Sequence, residues 1–426
     1  MLTWLRRHDL EAGLRSSLWP APVAAMLAAV ALARAVLHLD EATRWTLLGF
    51  SPDGARALVA ALVASMLTFI VFVFSILLVV LQVASGTLTP RIIASVFQDR
   101  PMRRSVGLFV FAFTYGVAAL GRIESRTPQL QVLVTIALSL ASIAVFLYLV
   151  DHLGRQLRPV AVVTNIGQEG TAVIDAVYPL PWDGKARIED TPLPAGGPAR
   201  VVTLAARSGV VLAFDSDGIA RLAREADGIV EMAPQVGDFV ATGVVLFRLY
   251  GDAASVDDSR LRQCVALGAE RTFEQDPLFP FRVIVDVAAK ALSPAINDPT
   301  TAVLALDQLH HLLAQVGRRR LDTGVVRDPG GRVRLVYRTP DWPDFVKLAC
   351  TEIRLYGTGS TQVMRRLRAL LADLLELLPV ARHAALREEL RLLDRVVERG
   401  FSEPADRELA SGQDFQGLGS TKPGAR

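Results

Sequence analysis

The chain has 426 residues, a formal net charge of only +3 and 51% hydrophobic residues. This length accommodates two or three domains, because about 100 to 200 residues per domain is usual. So small a net charge gives no support for nucleic acid as a partner. Cys264 and Cys350 are far apart and form no CxxC motif, which argues against a disulfide framework and against a zinc site.

Hydrophobic residues dominate as far as residue 150, whereas charged residues are spread through everything after it. Four segments are apolar enough to cross a bilayer, which takes about 20 helical residues. They cover residues 18–39, 57–83, 105–121 and 130–150. The sequence therefore predicts a membrane protein with a four-helix transmembrane domain over residues 1–158, in contact with the lipid bilayer, followed by an α+β region.

Arginines are unevenly shared between the two sides of this predicted membrane domain. Those on one side are Arg6, Arg7, Arg15, Arg91, Arg100, Arg103, Arg104, Arg155 and Arg158. The loops on the other side carry fewer arginines, which are offset by acidic residues. By the positive-inside rule, both termini are predicted to be cytoplasmic.

The second predicted span carries polar residues at spacings of three and seven, which places them on one helical face. These residues are Ser65, Thr68, Ser75 and Gln82. Small and hydroxyl-bearing residues on one face let helices approach closely in lipid. Alternatively, the face lines an aqueous path in an oligomer.

Basic residues follow this second span, at Arg91, Arg100, Arg103 and Arg104. Such residues fix membrane topology and contact anionic headgroups. In an oligomer they would also form a basic inner mouth that favours anions. Both interpretations remain open at this stage.

The remainder divides into a predicted β-rich module over residues 159–250, a helical domain with one β-hairpin over 251–400, and a disordered tail over 401–426. The module starts with a predicted strand at 160–164 and a helix at 167–177. The helical domain starts with a predicted helix at 261–273. In the β-rich module, the segment 228–246 resembles half of a biotinyl or lipoyl carrier hairpin, but there is no lysine between Lys185 and Lys290. We therefore expect no cofactor.

The best candidate site is the turn between two predicted helices at residues 293–302, with the sequence SPAINDPTTA. Pro294 ends the first helix, Asp298 is a suitable N-cap, and Pro299 is a suitable first residue of the second helix. These rules leave Asn297 unexplained. The candidate residues at this ligand-binding or structural turn are Ser293, Asn297, Asp298, Thr300, Asp286 and Lys290.

Asp286 and Lys290 are one helical turn apart, which allows an ion pair. Free backbone donors at the start of the second helix could hold an anion if Asp298 does not occupy them. A cation could be held if Asp286, Asn297, Asp298 and Asp307 converge. The sequence alone commits to no metal site.

The run AAKALSPAINDPTTA at 288–302 resembles the hallmark of an uncharacterised bacterial family of predicted membrane proteins, catalogued as a domain of unknown function. The segments TPR at 89–91, FTY at 113–115, SG at 208–209 and GDFV at 237–240 are similar to that family as well. The resemblance implies an integral protein of the bacterial inner membrane. It implies no activity and no catalytic residues.

Two functions are compatible with this sequence. The first is a homo-oligomeric channel or transport-like protein, in which the cytoplasmic region forms an assembly or gating domain. The second is a membrane-anchored sensor or scaffold that binds a small ligand or a partner through the 293–302 turn. An enzyme has the least support, since the phosphate-loop, HExxH and GxSxG motifs are missing. His310 and His311 point about 100° apart on a helix and so do not form a metal pair.

Overall fold

A computed structural model describes residues 4–6, 19–43, 49–87, 100–123, 127–156, 158–184, 193–194, 196–321 and 324–418. The chain forms two compact units. One unit comprises Glu11–Ala161, and the other comprises Met1–Leu10 together with Val162–Arg426.

The described residues of the first unit form four long helices. They are α1 (Pro20–Thr43), α2 (Pro52–Thr87), α3 (Arg100–Leu120) and α4 (Gln129–Gln156). Among the described residues, three segments are long and apolar enough to cross a membrane: Pro20–Thr43, Pro52–Val79 and Gln129–Arg155. The predictions of the first, second and fourth spans agree with these segments.

Helix α3, which coincides with the predicted third span, is less apolar than the other three, because Arg100, Arg103 and Arg104 occupy its first turn. Its buried face nevertheless packs against all of them. Phe109 joins a cluster with Val73 of α2 and Leu149 of α4, whereas Tyr115 joins one with Ala29 of α1. The third predicted span is thus a helix at the centre of the bundle.

Polar contacts also join helices within this unit. Nε2 of Gln131 donates to the carbonyl oxygen of Ala33 over 2.8 Å, and the backbone N–H of Leu130 donates to Oδ1 of Asp40 over 2.9 Å. On α4, Thr135 and Ser139 are buried and donate to the carbonyl oxygens four residues earlier. These hydroxyl groups of α4 are therefore paired within their own helix and allow close helix packing.

Two sheets share one core in the second unit. The strands are β1 (Arg200–Thr203), β2 (Gly209–Phe214), β3 (Ile229–Met232), β4 (Phe239–Val240), β5 (Val245–Tyr250), β6 (Val265–Gly268), β7 (Val325–Arg327) and β8 (Val333–Tyr337). One sheet has the order β1-β5-β3-β8-β7 and the other β4-β2-β6. Among the described strands, β3 pairs with β8 in parallel and the other pairings are antiparallel.

The helices of this unit are α5 (Pro159–Val177), α6 (Ser216–Glu225), α7 (Asp258–Arg262), α8 (Phe279–Ala291), α9 (Pro299–Gly317), α10 (Trp342–Tyr356), α11 (Thr361–Leu377), α12 (His383–Gly400) and α13 (Pro404–Ala410). The β7–β8 hairpin belongs to the same sheet as β3. The predicted boundary at residue 250 therefore cuts through one sheet, and the β-rich and helical parts form a single compact unit.

The predicted strand at 160–164 is wrong, because these residues form the first turns of α5. The valines there favour a strand locally. However, buried Val162, Ile166 and Val173 recur with helical spacing, and Gly170 lies against α8 and α9. A Cβ atom on Gly170 would come within 2.9 Å of Pro280 and 3.1 Å of Leu312. Burial of the helical face overrides the local preference.

The predicted helix at 261–273 is wrong as well, since α7 ends at Arg262 and β6 follows. Pairing with β2 places Val265 opposite Phe214 and Leu267 opposite Val211. Val265 and Ala266 are both buried. The neighbouring strand thus decides the conformation of a short apolar run.

Disorder after residue 400 is a wrong prediction for residues 401–418. Helix α13 begins with Pro404 at its first position, and Ala410 is buried. Gln362 on α11 donates to the carbonyl oxygen of Gly417 over 2.5 Å, and the backbone N–H of Asp414 donates to that of Arg365 over 3.3 Å. These contacts order a segment whose composition is polar and glycine-rich. The rest of the predicted tail, 419–426, lies outside the described residues.

Candidate functional site

The turn between α8 and α9 is closed by its own backbone. The N–H of Asp298 donates to the carbonyl oxygen of Ala291 over 2.8 Å, and those of Ile296 and Asn297 donate to Ser293 over 3.0 and 2.9 Å. Oγ of Ser293 donates to the carbonyl oxygen of Lys290 over 2.7 Å. The end of α8 and the start of α9 are thereby tied together.

Asp298 is the N-cap of α9, as the sequence predicts. Its Oδ1 accepts from the N–H of Thr301 over 3.1 Å, and its Oδ2 accepts from Oγ1 of Thr301 over 2.6 Å. Asp298 therefore occupies the N–H of Thr301, which is one of the donors that an anion would use at this helix start. Thr300 is exposed beside it.

Asn297 has a φ of 50°, in the left-handed region. Asparagine tolerates this conformation better than most residues, because its short polar side chain causes little steric conflict. The residue that helix-capping rules leave unexplained thus has a backbone role. Its side chain is exposed.

The other carboxylates near this turn have separate partners. Asp286 accepts from Nε of Arg282 over 2.7 Å, and Arg282 also binds Glu352 through both terminal nitrogens, over 2.5 and 2.7 Å. These two carboxylates raise the pKa of Arg282, and the guanidinium lowers the pKa of Glu352.

Asp307 accepts from Nε of Arg366 on α11 over 2.6 Å. Asp286, Asp298 and Asp307 thus each bind a different partner. Within the described ranges, no cluster of three or more His, Cys, Asp or Glu residues could hold a metal ion.

The four polar residues of α2 lie on an exposed face. Thr68 and Ser75 follow buried Met66 and Val73 by two residues, which is about 200° around the helix. Their hydroxyls donate to the carbonyl oxygens of Ala64 and Val71 over 3.2 and 2.9 Å. Ser65 and Gln82 are exposed too. In this chain, the stripe therefore points away from α3 and α4.

Only some of the arginines of the predicted basic inner mouth lie within the described residues. Arg91 lies outside the described residues, and Arg100 is the first residue of α3. Arg103 is half-buried and Arg104 is exposed on the first turns of the same helix. Arg103 and Arg104 thus lie close to the start of α3, the helix at the centre of the bundle.

A cleft that sequence reasoning missed lies between α5, the segment 179–182 and α9. It has a volume of about 350 Å³ and is lined by Pro181, His311, Ala314, Gln315, Arg318 and Arg319. We call it the α5–α9 cleft. Its outer wall is fixed by backbone hydrogen bonds from Trp182 to Arg318 over 2.8 Å and from Arg320 to Leu180 over 2.9 Å.

Charges in this cleft are only partly paired. Arg319 forms an ion pair with Asp175, which also accepts from Nε2 of Gln315 over 2.9 Å. Oε1 of Gln315 is buried and has no hydrogen-bond partner among the described residues. His311 Nε2 lies 3.4 Å from Oγ1 of Thr171. The signals for this cleft in the sequence are His311 and the consecutive arginines 318–320.

The chain is similar to bacterial proteins of unassigned activity. It is 29% identical over 376 residues to an uncharacterized protein of Mycobacterium bovis and, to the same extent, to one of Mycobacterium tuberculosis. Each match covers 85% of this chain and 72% of the relative. No solved structure matches the chain significantly. The family described as predicted membrane protein (DUF2254) matches residues 15–373, and the chain belongs to this family.

Proposed function

We propose that this protein is the subunit of a homo-oligomeric channel or transport-like protein of the bacterial plasma membrane. In this proposal all four helices α1–α4 cross the bilayer, both termini are cytoplasmic, and the unit that begins at Val162 is the cytoplasmic assembly or gating domain. The oligomer is formed by copies of this chain around the polar stripe of α2.

The exposed position of the α2 stripe carries the proposal. Thr68 and Ser75 face away from the helices of their own chain, amid exposed apolar residues such as Val71 and Val79. Hydroxyl groups that are bonded to their own helix tolerate lipid. Several of them on one face also give a polar surface when identical helices surround an axis. Gln82 lies beyond the apolar segment Pro52–Val79, at the end where water would enter.

The length and the packing of α3 favour four membrane spans rather than three. Its 21 residues extend about 31 Å, close to the thickness of a hydrocarbon core. Because α1, α2 and α4 cover its buried face, α3 needs less apolar surface than a helix that lipid surrounds. Its arginines occupy the first turn, where long side chains can reach the headgroups.

In this proposal, the turn at residues 293–302 is a rigid connection between α8 and α9 in the cytoplasmic unit. Asn297 and Asp298 both have local roles there, in the backbone turn and at the helix cap. These roles favour the structural interpretation over a sensor that binds its ligand at the turn.

Flux measurements on the purified protein in liposomes test the proposal. We expect an ion flux that Thr68→Leu and Ser75→Leu reduce, because each replaces a polar group at the proposed path with an apolar one. Phe74→Leu is the matched control, since Phe74 is exposed on the same helix about 100° from Ser75. A monomer in lipid nanodiscs, or the lack of flux under every gradient applied, would overturn the proposal.

A further inference from the structure

We propose that the α5–α9 cleft binds a phosphate-bearing anion. The site would serve a soluble organic phosphate or the headgroup of an anionic lipid, which share this chemistry. It is independent of the channel proposal, because it rests only on residues between Thr171 and Arg319.

The positive charge in the cleft exceeds the charge that the protein neutralises there. Asp175 is the ion-pair partner of Arg319. Arg318 is exposed and forms no ion pair with any described residue. Its backbone is nevertheless held, because its carbonyl oxygen accepts from the N–H of Trp182. A guanidinium on a fixed backbone is well suited to bind phosphate oxygens.

His311 provides a second donor on the same face of α9. It lies seven residues before Arg318, which is two helical turns, so both side chains line the cleft. The imidazole is exposed, and its Nε2 has only the 3.4 Å contact with Thr171. A bound anion would therefore meet donors from two sides.

Gln315 holds Asp175, the ion-pair partner of Arg319, in place. Its Nε2 donates to the Asp175 carboxylate over 2.9 Å, which fixes the orientation of the amide, because a carboxylate only accepts hydrogen bonds. The amide oxygen Oε1 is consequently a buried acceptor without a donor among the described residues. Because this oxygen is fully enclosed by protein, it belongs to the wall of the cleft and contacts no ligand.

The size and walls of the cleft limit what it can hold. A volume of about 350 Å³ lies at the lower end of the range for small-molecule sites. Pro181 and Ala314 add apolar contact surface beside the polar groups. A compact ligand of the size of glycerol 3-phosphate, or the headgroup of phosphatidylglycerol, fits these limits.

Two measurements on the full-length protein test the site. In the first, inorganic phosphate and glycerol 3-phosphate are titrated calorimetrically into protein in phosphatidylcholine nanodiscs at constant ionic strength. In the second, mass spectrometry measures how much phosphatidylglycerol the protein retains from nanodiscs with equal amounts of phosphatidylglycerol and phosphatidylcholine. The first arm detects a soluble anion, and the second detects a lipid headgroup.

The variants Arg318→Gln and His311→Ala change exposed side chains, and a thermal melt verifies that they fold. We expect Arg318→Gln to weaken glycerol 3-phosphate binding, or to lower phosphatidylglycerol retention, about tenfold, as the loss of a charge-assisted hydrogen bond would. His311→Ala should weaken binding by a smaller factor, as the loss of an ordinary hydrogen bond would. Arg224→Gln removes an equivalent exposed arginine from the last turn of α6 and should have no effect.

The proposal is overturned if neither arm detects binding. It is overturned equally if Arg224→Gln weakens binding as much as Arg318→Gln does, because the attraction would then be a property of the overall charge. Flux in liposomes does not enter either readout, so failure of the channel proposal would be seen separately.

Discussion

The guanidinium carbon of Arg382 lies 4.7 Å from the centroid of the Trp182 ring. It also lies 5.6 Å from the centroid of the Trp342 ring. Nη2 of Arg382 donates to the carbonyl oxygen of Arg319 over 2.9 Å, and its Nε to that of Gly317 over 3.3 Å. This buried arginine thus satisfies the carbonyl end of α9 and anchors the segment that walls the α5–α9 cleft.

Arg382→Met should lower the free energy of unfolding by about 2 to 4 kcal/mol, because carbonyl groups at the end of α9 lose a charged donor. Denaturant unfolding of the detergent-solubilised protein, followed by tryptophan fluorescence, measures the change. Arg387→Met is the control, since Arg387 is exposed on α12. Equal stability of both variants would contradict the role assigned to Arg382.

A second prediction concerns the buried ion pair between Arg354 and Glu389. Nε of Arg354 lies 3.2 Å from Oε2 of Glu389, and the side chains are 8% and 5% exposed. Glu389→Leu should destabilise the protein by about 3 to 5 kcal/mol, because it leaves a buried guanidinium without its counter-charge. The double variant Arg354→Met/Glu389→Leu should recover much of this loss.

A double-mutant cycle with Arg354→Met measures the coupling. If the losses of the two single variants simply add in the double variant, the ion pair contributes no specific interaction and the prediction is wrong.

The third prediction concerns pH. Burial raises the pKa of Asp276 to about 6, against the opposing effects of Arg271 and of the backbone N–H groups of Leu278 and Phe279. An unfolded aspartate titrates near 3.9. Between these two values the native state binds more protons than the unfolded state, so stability falls as pH rises from about 4 to about 6.

Asp276→Asn removes this titration and keeps an acceptor oxygen for the N–H groups of Leu278 and Phe279. The stability of the variant minus that of the wild type should therefore increase with pH between about 4 and 6, by on the order of 1 to 3 kcal/mol, and level off above. A difference that stays constant over this range would contradict the raised pKa.

The fourth prediction tests the topology with maleimide labelling. Both native cysteines are buried, and burial raises the pKa of each thiol, that of Cys264 to about 11. Their thiolate population at pH 7.5 is therefore small, and we expect them to remain unlabelled.

New cysteines can then report the side of the membrane. A membrane-impermeant maleimide should label Thr43→Cys in intact cells and Ala381→Cys only after lysis, because the proposed orientation puts residue 43 outside and residue 381 inside. Both positions are exposed. The reverse pattern would refute the orientation.

The sequence predicts an element correctly where local residue preferences and tertiary packing favour the same conformation. Helix α9 begins at Pro299, as predicted, because a capping aspartate and a proline mark its start. The prediction is wrong where contacts with distant residues determine the conformation. At Val160, for example, the packing of α5 overrides the preference of valine for strands. The α5–α9 cleft escaped prediction for the same reason, since α5 and α9 are more than a hundred residues apart.

The parallel pairing of β8 with β3 has a consequence for synthesis. Val230 pairs with Leu335, so the central sheet lacks a strand until the ribosome has added about a hundred further residues. Until then the edge of β3 is open to other chains. We therefore expect nascent chains that stop before residue 333 to be sensitive to protease and bound by chaperones, while chains that include the hairpin become resistant.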